Sequence, residues 1–424
     1  MKALLLSHSD GGGGAGRAAR RLLDALNASG IDSRMHVDFL NIPDSRVTRN
    51  SSPFADLARR TRITLGEIPA FAARHPHPEL FSPGFGSAIS ARRLKASTAD
   101  ILNAHWTGYG YLSIRQLAKI DKPLVWTMHD MWAFTGGCYY DDEGPDARWR
   151  AEYTKANRVD DGTRFDVERW VADRKKRHWR KPRHAITPSA WLAELARSSD
   201  LLGNWSVHVI PNALDTDAFR PIPSDEARAL LGLPMDRSIV LVALSGDLSD
   251  PRKGFDLLQS AIRQLTTDNE HALNFDLAVI GRGEPPAEWP ADFPTTHWLG
   301  YLNDTQLPSA YSAADAVIVP SRQDNLPQTG TEAQACGTPV VAFAIGGLPD
   351  IVSHKETGYL AVPTDPQDLA AGIAWVLLDE ARRSNLAVAA RERAVRLWSA
   401  PVVAAAHAEL FGTIIDEHHS HHGT

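Results

Sequence analysis

Short apolar runs recur through the first half of the chain at Ala3–Ser7, Ile101–Ala104, Leu124–Met128 and His184–Thr187, each leading into polar or helical sequence. Runs this short and mostly apolar suit strands covered on both faces, the pattern of a parallel sheet between helices. The first run passes through a glycine-rich stretch into a segment that places Ala18, Leu22, Leu23 and Leu26 on one helical face and ends near Gly30. Val207–Ile210 closes this series, and Pro211, Pro221 and Pro223 mark a connection that reaches to about residue 224. A second series follows at Ser238–Leu244, Leu277–Ile280, Ala316–Val319 and Pro339–Phe343. The tail from Asp365 to Ile415 has helical spacing. The pattern predicts an α/β protein of two Rossmann-like, doubly wound domains, over residues 1–210 and 211–399. Sheets of this kind take ligands beyond the carboxyl ends of their strands, so two such domains facing one another would hold a site in the cleft between them.

Composition narrows the class. With 424 residues, 43% of them hydrophobic and 23% charged, the chain has apolar material for two or three domain cores. No run approaches the ~20 apolar residues a bilayer span requires, and the first strand reaches Ser7, His8, Ser9 and Asp10 too soon for a secretory segment. A cytoplasmic location is the expectation. Cys138 and Cys336 lie far apart with no spacing that suits a metal site or a disulfide framework, so both are expected to be plain thiols. The histidine-rich end, His418 to His422, is expected to be a disordered tail.

Charge is uneven. Residues 1–200 carry 31 Lys and Arg against 23 Asp and Glu, and residues 201–424 carry 14 against 28. Much of the basic excess sits between Arg169 and His184, interleaved with Trp170 and Trp179. Such a stretch can dock on the anionic inner face of a membrane; a solvated helix face with both Trp turned inward accounts for it equally well. Nucleic acid is disfavoured by the overall charge of −6.

The most specific chemistry lies in Pro320–Ala342, where Asp324 and Glu332 stand eight positions apart. Asp324 would end a strand-to-helix loop, and Glu332 would lie one to two turns into the helix that Gly337 terminates. The helix start near Asn325, Leu326, Pro327 and Gln328 offers unpaired N–H groups and a positive dipole end to an anion. In Asp250–Leu258, Arg252 and Lys253 place two cations in a loop after a strand. Gly281, Gly283, Tyr301, Gly346 and Gly347 follow other strands of the same half; a strand-ending turn accounts for Gly281, Gly283 and Tyr301 equally well. In the first half, Gly11–Gly16 followed by Asp38 satisfies the dinucleotide fingerprint of nicotinamide enzymes, which a run of four glycines does easily. His129 ends the strand Leu124–Met128, and His105 ends Ile101–Ala104.

Taken together, Pro320–Ala342, Asp250–Leu258, Asn103–Trp106 and Trp126–Tyr139 resemble the retaining glycosyltransferases of family 4, in particular their colanic-acid and exopolysaccharide branch. The resemblance implies the type B architecture, with a last helix over about 400–418 returning to the first domain. It implies a UDP- or GDP-linked sugar as donor, a glycan or lipid-linked acceptor in surface polysaccharide synthesis, and no required cofactor or metal. Asp324 would hold the donor sugar, Glu332 the ribose and His129 the sugar hydroxyls, while Lys253 and Arg252 neutralise the leaving diphosphate. Gly13 and Gly14, with Gly281, Gly283, Tyr301, Asn325, Leu326, Pro327, Gln328, Gly346 and Gly347, would line the donor. Three departures stand out. Leu244-Ser245-Gly246-Asp247 replaces the family's Gly-Arg pair, Asp324 stands where relatives usually carry Glu, and residues 140–183 lack the further cysteines that relatives often have. A nucleotide-sugar epimerase of the same fold and a non-catalytic nucleotide-binding subunit remain alternatives.

Overall fold

Thirteen strands, all in parallel pairs, form two sheets among the residues that the computed structural model describes, which are 1–50, 55–73, 75, 80–158, 165–244, 250–267, 273–281 and 289–422. The chain divides into two units, Met1–Ala213 with Val403–Thr424, and Leu214–Val402.

The first unit holds β1 (Lys2–Ser9), β2 (Asp32–Phe39), β3 (Val47–Arg49), β4 (Ile101–Ala104), β5 (Leu124–Thr127), β6 (His184–Thr187) and β7 (Ser206–Val209). Their order is β3-β2-β1-β4-β5-β6-β7. Every residue of β4 and β5 is buried, which is why both read as mostly apolar; their polar exceptions pair with each other, Asn103 donating to the Thr127 hydroxyl at 2.9 Å. The helix Gly14–Ala28 buries Ala18, Leu22, Leu23 and Leu26 on the face its spacing predicts; each buried Leu contributes roughly 1.5–3 kcal/mol relative to exposure. The strand order reverses between β1 and β4, so the loops after these two strands flank the switch point where doubly wound sheets bind ligands. β2 carries no apolar run because Ser33, His36 and Asp38 interrupt it. The fold buries them, and His36 Nδ1 lies 3.0 Å from the Tyr111 hydroxyl.

The second unit holds β8 (Ser238–Leu244), β9 (Phe275–Gly281), β10 (Thr296–Gly300), β11 (Ala316–Val319), β12 (Val340–Phe343) and β13 (Gly358–Ala361), in the order β10-β9-β8-β11-β12-β13. Its switch point lies between β8 and β11, and the loops that follow them contain Lys253 and Asp324.

Two expectations change. His418–His422 is not a loose tail: the helix Ala400–His422 runs through it, since neither Gly nor Pro stands between Gly412 and Gly423, and Glu417 meets His184 at 2.9 Å. The basic stretch is engaged inside the first unit only in part. Lys175, on the helix Val167–His178, is fully buried; Arg174 lies over the Phe85 ring at 3.7 Å, and Arg183 donates to the carbonyls of Leu117, Ala118 and Ile120. Trp179 is buried. Lys176, paired with Glu152 and Asp200, and Arg177, Arg180 and Lys181 remain exposed. No helix among the described residues is long and apolar enough to cross a membrane.

Candidate functional site

In the second unit the turn Pro251–Lys253 is packed directly onto the end of β11. A Cβ on Gly254, whose φ is +66°, would sit 1.9 Å from the Pro320 carbonyl oxygen, so only glycine allows this approach. Arg322 N donates to Arg252 O at 2.7 Å, and the Arg322 guanidinium donates to Pro251 O at 2.9 Å. Through these contacts Lys253 Nζ reaches Asp324 Oδ2 at 2.8 Å. Lys253 keeps about a third of its side chain exposed (35%), whereas the Asp324 side chain retains 12%. Asp324 Oδ1 accepts from Asn325 N at 3.0 Å, and Ser321 Oγ lies 3.5 Å from Oδ2. Gly347 N donates to Asp324 O at 3.0 Å; a Cβ on Gly346, at φ +59°, would come within 2.4 Å of the same oxygen.

Lys253 and Asp324 share a cavity of about 60 Å³ with Leu244, Phe255, Ser321, Pro327 and Thr329. That is room for a few water molecules, or for one charged group of a larger ligand. The helix Gln328–Ala335 starts at this cavity, and the Pro327 side chain cannot cap it. A cation and the positive end of a helix therefore face one small space, with a carboxylate beside them: an arrangement that receives an anion and a hydroxyl-bearing neighbour.

The other expected residues are placed differently. Arg252 is folded back onto Asp250, with Nη2 2.6 Å from Oδ2 and Nε 3.2 Å from Oδ1, and does not line the cavity. The reason is local, because Asp250 also caps the turn by accepting from Arg252 N at 3.0 Å. Glu332 is 1% exposed and does not line the cavity either; its Oε2 accepts from the Tyr311 hydroxyl at 2.7 Å inside the core. Burial and the Glu332 carboxylate hold the Tyr311 hydroxyl well above its usual range. Asn325 and Leu326 are buried, Gly281 ends β9, and Tyr301 follows β10 with 54% exposure. Gly283 lies outside the described residues. Ser321 and Thr329 were not singled out from sequence, although both stand within the motif that carries Asp324.

In the first unit Gly13 and Gly14 open the helix after β1. The glycine that packing demands there is Gly16, where a Cβ would meet the Ser9 and Gly11 carbonyl oxygens at 2.9 Å. Asp38, the acid of the dinucleotide fingerprint, is buried and bonded to Arg62, so it already serves a partner within the fold. Beyond β4 and β5, His105 Nδ1 lies 3.0 Å from His129 Nε2, with the rings stacked at 5.3 Å. Burial lowers the His129 pKa to about 4, and burial together with His129 and His407 lowers that of His105 well below its usual value. Both imidazoles are therefore neutral near pH 7, each able to donate one hydrogen bond and accept one. They line a space of about 10 Å³ together with Trp106, Thr107, Asp130 and Tyr139.

Residues 12–218 match the family described as Glycosyltransferase Family 4, and residues 226–393 match the family described as Glycosyl transferases group 1. A D-inositol 3-phosphate glycosyltransferase of Saccharomonospora viridis is 34% identical over 310 residues, covering 70% of this chain and 66% of that protein. The chain spans about half the length of several further curated relatives of that name. In fold, sucrose-phosphate synthase from Thermosynechococcus elongatus aligns over 98% of this chain and 99% of its own, with a TM-score of 0.68 at 22% identity. Anabaena HepE in complex with UDP and glucose aligns over 97% and 100%, with a TM-score of 0.60 at 19% identity.

Proposed function

We propose that this chain, which carries a glycosyltransferase family 4 domain followed by a glycosyl transferases group 1 domain on the type B fold, moves a hexose from a nucleoside diphosphate donor to an acceptor hydroxyl with retention of configuration. The observation that carries the reading is the Lys253–Asp324 pair in one cavity with the start of the helix Gln328–Ala335. The anomeric carbon–oxygen bond to the diphosphate breaks as the acceptor oxygen bonds to the same face, and a diphosphate oxygen takes the acceptor proton. Lys253 and the helix N-terminus stabilise the departing charge, while Asp324 accepts from a donor-sugar hydroxyl. Glu332 reads the ribose through Oε1, with Tyr311 holding Oε2. Neutral His129 contacts the sugar hydroxyls. Arg252 acts at one remove, by shaping the turn that presents Lys253.

UDP-sugars come first as donors because HepE was solved with UDP and glucose; GDP-sugars come second. For the acceptor, the sequence resemblance supports a glycan or lipid-linked glycan of surface or exopolysaccharide synthesis. A second reading, an inositol phosphate, is favoured by the name of the relatives. A cytoplasmic place on the inner membrane face is supported by the exposed Arg177, Arg180 and Lys181.

The test is a screen of UDP- and GDP-sugars for thermal stabilisation, which bound donor raises by mass action. Each stabilising donor is then offered with inositol phosphate and with glycan acceptors. Release of nucleoside diphosphate and a new glycoside with one acceptor class is the expected result. Donor conversion without acceptor would identify an epimerase, and binding without turnover under any pairing would identify a non-catalytic subunit; either outcome removes the proposal.

A further inference from the structure

A second constellation lies in the first unit, away from the histidine pair. Cys138, His75 and Glu168 are 63 and 30 residues apart in sequence, yet His75 Nε2 lies 3.9 Å from Cys138 Sγ, Cys138 Sγ lies 3.7 Å from Glu168 Oε1, and Glu168 Oε1 lies 3.5 Å from His75 Nε2. Each residue offers one ligand atom, and all three atoms fall within 4.8 Å of one another. Zinc bonds of ~2.3 Å to sulfur and ~2.0–2.1 Å to nitrogen and oxygen, at tetrahedral angles, separate such atoms by ~3.3–3.6 Å. The observed triangle is a few tenths of an ångström wider, a gap that side-chain torsions close.

The surroundings hold each ligand in place. His75 stacks on Phe81 with ring centroids 4.4 Å apart. Cys138 is carried by a two-stranded contact: Phe81 bridges Cys138, Ser82 N donates to Gly137 O at 2.8 Å, and Tyr139 N donates to Leu80 O at 2.8 Å. Glu168 sits in the first turn of the helix Val167–His178. Arg148 binds its Oε2 at 3.0 Å and so leaves Oε1 turned toward the sulfur and the imidazole. Partners that orient ligands from behind are the usual support of a metal site. Beside the triangle, His75 and Glu168 line a cavity of about 150 Å³ that also contains Asp141. It has room for a fourth ligand, either a water or the Asp141 carboxylate.

We propose that His75 Nε2, Cys138 Sγ and Glu168 Oε1 bind a divalent cation of the zinc type. One soft sulfur, one imidazole and one carboxylate favour Zn²⁺ over Mg²⁺ or Ca²⁺, which take oxygen ligands. On binding, the Cys138 thiol releases its proton to solvent and the sulfur–metal bond forms. The ion ties His75 to the Gly136-Gly137-Cys138 turn and to the start of the helix Val167–His178. Tyr139, next to Cys138, lines the His105–His129 space, so the clip steadies one wall of it.

The experiment uses the full chain, stripped with a chelator and titrated with Zn²⁺ and separately with Co²⁺, as wild type, Cys138→Ser and His75→Gln. A fourth protein has His418, His419, His421 and His422 replaced by Asn, because imidazole is a common metal ligand and a run of histidines is a competing site. The expected result is one tight Zn²⁺ equivalent that survives the Asn replacements and weakens at least tenfold in each ligand variant. Co²⁺ should give a thiolate charge-transfer band that Cys138→Ser abolishes, together with a rise in melting temperature. Should Cys138→Ser not fold, His75→Gln and the wild-type cobalt spectrum decide the matter. Absence of the charge-transfer band in wild type, or binding lost only with the terminal histidines, overturns the proposal.

Discussion

Lys253 and Lys175 are the same residue type in opposite circumstances. Lys253 stands at the switch point of the second sheet, a third exposed, paired with a carboxylate and facing a cavity. Lys175 is fully buried in the first unit; it donates to the carbonyls of Trp132 and Thr135, the latter at 3.0 Å, and its ammonium lies 4.0 Å from the Trp132 ring centroid. Burial pushes its pKa well below the usual value. One cation is available to a ligand, and the other is a structural plug that ties the Trp132–Thr135 loop to a helix. The pattern of charges along the chain does not distinguish them; their surroundings do.

The largest effect should come from breaking the plug. Lys175→Ala leaves two buried carbonyls without their donor and opens a cavity, at a cost of about 3–5 kcal/mol. Lys253→Ala, at a pair whose lysine is a third exposed, should cost no more than about 1 kcal/mol. Denaturant unfolding measures both, and equal losses would erase the contrast.

Activity should reverse the order. Lys253→Ala is expected to lower turnover by ~10²-fold at saturating donor, which is about 2.7 kcal/mol of transition-state stabilisation. Glu332→Gln keeps an acceptor for the Tyr311 hydroxyl and should still lose at least ~10-fold, or about 1.4 kcal/mol, if its charge serves the ribose. Unchanged turnover in the Lys253 variant would remove that residue from the mechanism.

Acid should separate the two units. Burial lowers the pKa of His8, His36, His129 and His407 from 6.5 to about 4, and all four belong to the first unit. A histidine depressed on folding binds more protons when unfolded, so its contribution is complete above pH ~6.5 and is lost as pH falls toward 4. Hydrogen exchange at pH 7, 5.5 and 4.5, corrected for intrinsic rates, should show peptides of the first unit losing protection before those of the second. Simultaneous loss in both would contradict this.

The finest effect concerns Asp324. Glutamate in its place extends the carboxylate by about one C–C bond, ~1.5 Å, enough to break or remake a hydrogen bond to a sugar hydroxyl. Asp324→Glu should therefore reorder kcat/KM among nucleotide sugars while leaving calorimetric binding of the free diphosphate nearly unchanged. An unchanged order with weaker diphosphate binding would reassign Asp324 to the phosphates.

Much of this was legible locally. The runs at Ile101–Ala104, His184–Thr187, Ser238–Leu244 and Ala316–Val319 are strands with the predicted bounds, since strands covered on both faces stand out as short, mostly apolar runs between polar segments. β2 was missed because its buried polar residues find their partners in other elements, His36 in Tyr111 and Asp38 in Arg62. Lys253 and Asp324 are both candidates from their motifs, and the fold sets them 2.8 Å apart. That Arg252 would turn to Asp250 and Glu332 to Tyr311 was not legible, because each choice depends on a neighbour that the motif does not contain.

The sequence by itself determined the two α/β halves, the strands on which each is built and the loops that carry the candidate chemistry, because these rest on periodicity and on residues close together in the chain. Only the tertiary structure decided which charged groups meet. Lys253 finds Asp324 71 residues away because the order of β8 and β11 sets their loops side by side and Gly254 permits backbone contact. Lys175 loses solvent because aromatic side chains from other segments close over it. His75, Cys138 and Glu168 converge because a bridge at Phe81, a glycine turn and a helix start bring three distant segments to one point. Contacts of this kind depend on how separate elements pack, and no spacing along the chain encodes them.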